Sequence, residues 1–199
     1  MILAIIGIGA IFSLQASKAV KDKNAHSLKR ISGFRSDASD VFNTACAIAI
    51  DFSQKKIAVV DQNSPGRPSV FRYSDIVAVE ICRNGSSLIK TDRASQAVGA
   101  AVGAILLGPA GLLIGGLTAA RTAEEEVRKL SIKIYTNDAR SPVREVVLFE
   151  SSPALSAEYV EQAYGSKLDE WYGRLRVIVE RSQESVVEEE SRDSTGKLR

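Results

Sequence analysis

From Ala97 to Ala120 the chain reads AVGAAVGAILLGPAGLLIGGLTAA, without one charged side chain, between Arg93 and Arg121. Strand-like segments precede and follow this block. If those strands pair in one sheet, both ends of the block must return to the same side of any membrane. A single span would split the sheet across the bilayer and leave unpaired edges on each face. Pro109 also works against one unbroken helix, because it removes a backbone donor and clashes with the preceding turn. Gly108 and Gly111 flank it, so the reversal belongs there. These residues predict a helical hairpin over 95–121, with arms near Ser95–Leu107 and Ala110–Arg121. Each arm would reach ~16 Å, about half the hydrocarbon core. Gly99 and Gly103 lie one turn apart, as do Gly111 and Gly115, and such small-xxx-small spacing lets helix backbones approach closely. Insertion into the bilayer and packing on the β domain, or on its copy in an oligomer, both fit the pattern.

The N-terminal stretch Met1–Leu14, MILAIIGIGAIFSL, is almost wholly apolar, and no charge enters before Lys18. As a helix, residues 1–17 would span about 25 Å, slightly short of the ~30 Å hydrocarbon core. A secretory signal would carry its basic residues before the apolar run and small residues at a cleavage site. Here Lys18, Lys21, Lys23, Lys29, Arg30 and Arg35 come afterwards. The segment therefore reads as an uncleaved anchor, with the chain beyond Lys18 cytoplasmic by the positive-inside rule. Residues 18–43 read as a basic juxtamembrane linker or short surface helix, broken at Gly33.

From Thr44 short apolar runs alternate with turn signals. Ala45–Phe52 puts Cys46, Ile48 and Ile50 on one face, and Ile57–Asp61 follows a polar turn at Ser53–Lys56. Val70, Phe71 and Tyr73 mark a third strand. In Ile76–Arg83, Val77, Val79 and Ile81 form the expected core face, with Ile76, Ala78, Glu80 and Cys82 opposite. Asn84-Gly85 is a strong hairpin signal, since both positions tolerate φ > 0. Ser87–Thr91 would return, and after the apolar block Leu130, Ile132 and Ile134 alternate with polar residues. Val143–Phe149 makes a seventh strand. The period then becomes helical. Ser152-Pro153 suits an N-cap with proline at the first helical position. Leu155, Tyr159 and Ala163 would line one face, Gly165 permits a break, and Ser166 with Asp169 resembles a capping box. Leu168, Trp171, Tyr172, Leu175, Ile178 and Val179 then fall on one stripe. Glu188–Glu190 mark an acidic tail, expected to be disordered over residues 183–199.

Chemistry is sparse. His26 is the sole histidine, which excludes a His-based triad or a multi-histidine metal site. Cys46 and Cys82 lack metal-ligand spacing and read as buried free thiols; a bridge between them would need their strands to be neighbours. Gly108-Pro-Ala-Gly has a superficial phosphate-loop look but no following Lys-Ser/Thr. A net charge of +2 with no basic stripe gives no nucleic-acid surface. No cofactor is expected, and an enzyme is not.

Seven short strands closed by a C-terminal helix, carried by Ala45–Asp61, Tyr73–Ile76, Asn84-Gly85 and Ser131–Thr136, resemble the pleckstrin-homology-like (PH-like) superfold. The chain is also similar to bacterial membrane proteins in which such a domain carries a glycine-zipper insert. The resemblance implies an α+β, mainly β domain over 44–182, a seven-stranded barrel or sandwich with the apolar hairpin between its fifth and sixth strands. It also implies that Lys55 and Lys56, in the first hairpin loop, contact lipid headgroups, with Arg67 and Arg72 beside them. The expected function is a non-enzymatic, inner-membrane-anchored cytoplasmic module that acts through membrane lipids or a protein partner, as a homo-oligomer. The alternative is a membrane-active, exclusion- or toxin-like protein whose glycine-rich hairpins assemble.

Overall fold

The computed structural model describes residues 18–42, 44–92 and 126–196, with side chains through residue 182. The expected anchor (1–17) and hairpin (95–121) lie outside these residues, as do Gly99, Gly103, Gly108, Pro109, Gly111 and Gly115. Among the described residues no helix is long and apolar enough to cross a membrane.

Helix α1 covers residues 18–29, and a turn through Gly33, at φ +65°, releases the chain into strand β1, Ala38–Val41. β2 (Ala47–Asp51), β3 (Lys56–Val60) and β4 (Ser69–Arg72) complete a four-stranded sheet in the order β1-β2-β3-β4. A 3-10 turn, Tyr73–Asp75, leads into β5 (Ile76–Arg83), then β6 (Ser86–Asp92), β7 (Glu126–Thr136) and β8 (Val143–Ser156). These four form a second sheet in the order β6-β5-β7-β8, and helix α2 runs Ala157–Gly196. The chain divides into two compact units. One reaches Phe71 and includes Val146–Leu148; the other holds Arg72–Glu145 and the chain from Phe149 onward.

The expectation of seven strands is corrected to eight among the described residues. β1 lies inside the segment read as linker, where Ala-Ser-Asp-Val offers too little apolar alternation to announce a strand. Its pairing supplies what the pattern lacks: Ala38 faces Ile50 and Val41 faces Ala47 across an antiparallel ladder. Of the expected barrel or sandwich, no closed barrel forms among the described residues. Their strands make two separate ladders, a pair of antiparallel sheets. With β1 counted, the segment expected between strands five and six falls between β6 and β7.

In the first unit β2 and β3 are buried throughout, apart from half-buried Lys56. Leu28 of α1 packs on Ala47, Ala49, Ala58 and Val60, with Ile31, Phe34 and Val41 around it. Alanine in the sheet face keeps that surface low, so a helix can lie close on it.

In the second unit Ile81 pairs with Ile89 and Ile132, and Val79 with Ile134. Val79, Ile81, Ile132 and Ile134 are all buried, but the expected alternation does not hold along β5: Val77 is half-buried beside a bulge, and Ile76, Ala78, Glu80 and Cys82 are buried too. Helix α2 packs on this sheet with the expected stripe: Leu168, Trp171, Tyr172, Leu175, Ile178 and Val179 are buried. The Tyr172 hydroxyl meets Thr91 Oγ1 at 2.7 Å.

The start of α2 is another correction. Ser152-Pro153 lies within β8, and the helix begins at Ala157, where Ser156 Oγ accepts the Tyr159 N–H at 3.3 Å. Serine-proline suits a strand as readily as a first helical turn, so local chemistry could not decide. Val160 rather than Tyr159 is the buried residue of the first turns; Tyr159 is 55% exposed. No break occurs at Gly165, which is itself buried within the helix, and the helical backbone continues to Gly196.

β6 and β7 each run antiparallel to β5, on opposite sides of it, and so run parallel to each other. Asp92 ends β6 opposite Ala78, which is level with Tyr135 near the far end of β7, while Glu126 begins β7. Residues 93–125 therefore join points separated by roughly 30 Å along the sheet.

Candidate functional site

The basic residues singled out in the sequence fall in three places. Lys55 and Lys56 share the β2–β3 turn, where Lys55 is exposed at φ +51° and Lys56 opens β3 opposite Asp51. Arg67 is exposed on the β3–β4 loop, and its N–H donates to the Ser64 carbonyl at 3.0 Å. Arg72 ends β4 and belongs to the second unit, with its N–H bonded to Asp75 Oδ2 at 2.8 Å. Thus the structure joins only Lys55 and Lys56 into one local feature.

Buried carboxylate chemistry builds that feature. Asp51 is fully buried and accepts the Arg35 N–H (2.6 Å), the Gln54 N–H (2.8 Å) and the Ser53 hydroxyl (2.7 Å). Burial opposes its charge, but these donors outweigh burial and hold its pKa at about 2, below the ordinary 3.8. Asp37 accepts from Arg35 Nε at 2.6 Å and from the Phe52 N–H at 2.9 Å, and the Arg35 bond, then the Phe52 bond, lower its pKa. Two ionised carboxylates thereby fix the turn and present Phe52, 52% exposed, beside Lys55.

A different clamp holds the other end of the first unit. Asn24 of α1 is fully buried; its Nδ2 donates to the Ala45 carbonyl and its Oδ1 accepts the Gly66 N–H, each at 2.7 Å. Ala45 and Gly66 both have positive φ, 63° and 77°. One amide side chain thus satisfies two strained loops, since a buried polar group left unpaired is costly. Nothing in the sequence marks Asn24 for this role; in the linear reading it was one polar residue of a basic segment.

The second unit carries a polar sheet face that the sequence placed opposite the core. Glu80 is only 8% exposed, accepts the Tyr135 hydroxyl at 2.5 Å, and lies between Lys90 and Lys133 in register. Burial raises its pKa, but bonds from Ser87 and Tyr135 and the two lysines outweigh it, so Glu80 stays ionised. Tyr135 is pushed up to about 12, chiefly by that bond to Glu80. Next along the face, Glu145 accepts from Lys129 Nζ at 2.8 Å and from the Ser131 hydroxyl at 2.7 Å. These groups hold the protonation states they would have in water, tyrosine neutral and carboxylates charged, and so form a paired network rather than an acid–base dyad.

Cys46 and Cys82 are buried thiols outside any disulfide, one in each unit, and burial raises the pKa of both. Among the described residues no group of three or more His, Cys, Asp or Glu side chains could hold a metal ion.

The family model described as glycine zipper containing PH domain matches residues 34–150, more than half of the chain. The chain belongs to this family. The match takes in β1 and most of the two-sheet framework, together with the apolar block between β6 and β7. Two relatives align over 197 residues at 22% identity, covering 90% of this chain. One is named SPbeta prophage-derived uncharacterized membrane protein YomJ, from Bacillus subtilis (strain 168), with 85% of its length covered. The other is named Immunity protein, from Bacillus phage SPbeta, with 96% covered. No solved structure matches the chain at a significant level.

Proposed function

We propose that this protein is a non-enzymatic, membrane-anchored binding module whose bulk lies on the cytoplasmic face of a bacterial inner membrane. The observation that carries the reading is the uncharged, glycine-rich block held inside a PH-like domain, between β6 and β7. The apolar residues 1–17, followed at once by basic residues, and the relative named a membrane protein support it. In this reading residues 1–17 anchor the chain, and the glycine-rich segment associates with lipid or with its copy in a homo-oligomer. The domain then binds lipid headgroups or a protein partner. An alkaline-carbonate wash of membranes from cells making the full-length protein tests the anchor: the protein stays in the pellet. Its release overturns the reading. Protease protection of a terminally tagged protein in sealed vesicles tests the orientation.

A second reading is an exclusion-type role, in which the glycine-rich segment assembles and acts on the membrane. The relative named Immunity protein favours it. Depolarisation of cells on modest overexpression, lost with Gly103→Leu, would support this role, whereas an unchanged membrane potential would leave the binding module.

A further inference from the structure

The first unit has two ends, one length of β2 apart, or about 16 Å. The β2–β3 turn with Phe52, Lys55 and Lys56 occupies one end. Ala45 and the β3–β4 loop with Gly66 and Arg67 occupy the other.

Helix α1 has a direction relative to these ends. Asn24 is bonded to Ala45 and Gly66. One turn later Leu28 packs on Ala47, Ala49, Ala58 and Val60, with Ile31 and Phe34 following, and then the Arg35 N–H reaches Asp51. Successive contacts therefore move from the Gly66 end to the Asp51 end. The residues before Asn24 lead off beyond the Gly66 end, toward the uncharged stretch Met1–Ser17. Lys23 lies directly over Gly66; a β carbon there would fall 2.5 Å from Lys23 Cε. Lys18, Lys23 and Arg67 are exposed, Lys21 is half-buried, and Asp22 is the exposed acid among them.

We infer that the Lys23–Gly66–Arg67 end of the first unit faces the anionic headgroups of the bilayer, and that the Lys55–Lys56 turn points away from it. The inference rests on the anchor reading above, because residues 1–17 set which end is drawn to the membrane. It reverses the headgroup placement that the PH resemblance implies for Lys55 and Lys56. Cations beside an anchor gain from an anionic surface, and the gain decays within a Debye length, well short of the opposite turn. Phe52 is then left facing the cytoplasm.

The test uses full-length protein reconstituted into vesicles of phosphatidylcholine and phosphatidylglycerol containing a headgroup spin-labelled lipid. A fluorophore is attached at Asn63→Cys or at Gln54→Cys, both exposed positions, while the native thiols are buried. The proposal expects strong quenching at position 63 and little at 54. It also expects quenching at 63 to fall in phosphatidylcholine alone, and in Lys23→Gln/Arg67→Gln with phosphatidylglycerol present. Stronger quenching at 54 than at 63, or equal quenching at both in protein that floats with the vesicles, overturns the orientation and spares the anchor. Protein that fails to float overturns the anchor reading and this inference with it.

Discussion

The two units solve the same packing problem with different materials. In the first, α1 lies on a floor of Ala47, Ala49, Ala58 and Val60, and buried polar side chains fasten its surroundings. Asn24 ties α1 to two loops, while Asp51 and Asp37 tie the β2–β3 turn to the chain around Arg35. In the second, α2 lies over a face of Val79, Ile81, Ile132 and Ile134 and buries Trp171, Leu168 and Leu175. Small side chains yield little apolar area, so the α1 side of the first unit leans on hydrogen bonds whose geometry must be kept, while Ile48, Ile50, Ile57 and Val59 bury the alternate positions of β2 and β3. Large side chains yield much, and the second unit depends on volume.

Substitutions can separate these two modes. The largest loss belongs to Trp171→Ala, which empties the biggest buried side chain of the second unit and should cost about 3–5 kcal/mol. Urea unfolding followed by circular dichroism reads it; a loss comparable to that of an exposed site would contradict the volume argument. Asn24→Ala removes little apolar area yet orphans the Gly66 N–H and the Ala45 carbonyl, for a loss of about 1–3 kcal/mol. Hydrogen exchange should quicken at Gly66 in this variant, and unchanged protection would show that the amide clamp is dispensable. Gly66→Ala places a β carbon at φ +77° against the Lys23 stem, and should cost about 1 kcal/mol or somewhat more. A stabilised Gly66→Ala protein would show that the loop relaxes freely.

The smallest effect is the pH dependence that Asp51 contributes in the first unit. The Asp51 pKa is depressed to about 2 from 3.8, so the unfolded chain binds the proton first as pH falls. The ionised clamp contributes fully above pH 3.8 and loses its contribution as pH drops toward 2. Asp51→Asn should flatten the acid limb of stability in that window while leaving the neutral-pH α2 packing intact. Parallel acid limbs for the two proteins would be the contrary result.

Much of the strand framework was legible because its signals are local. Ile76–Arg83 is an apolar, β-branched run, and Asn84-Gly85 marks a turn where both residues take positive φ, 51° and 85°. The α2 stripe was legible for the same reason, as one face of a 3.6-residue period. β1 was missed because its four residues become a strand only through pairing with β2. The start of α2 was misplaced because Ser152-Pro153 and Ser156 both offer N-terminal chemistry, and strand pairing of β8 chose between them. Asn24 and Glu80 stayed anonymous for a related reason. Their partners lie far along the chain, and only register brings Glu80 between Lys90 and Lys133.

By itself the sequence determined the periods of the elements, the strongest turn and the uncharged glycine-rich block within a β domain. These follow from steric preferences and burial patterns that act over a few neighbouring residues. Only the tertiary structure decided that the strands make two ladders rather than a barrel, and that β6 and β7 place the ends of residues 93–125 far apart. The same holds for α1, whose path leaves Lys18, Lys21 and Lys23 toward the Gly66 end and Lys29 and Arg30 toward the Asp51 end. Strand order and helix direction arise from long-range pairing and close packing, which no window of local sequence contains.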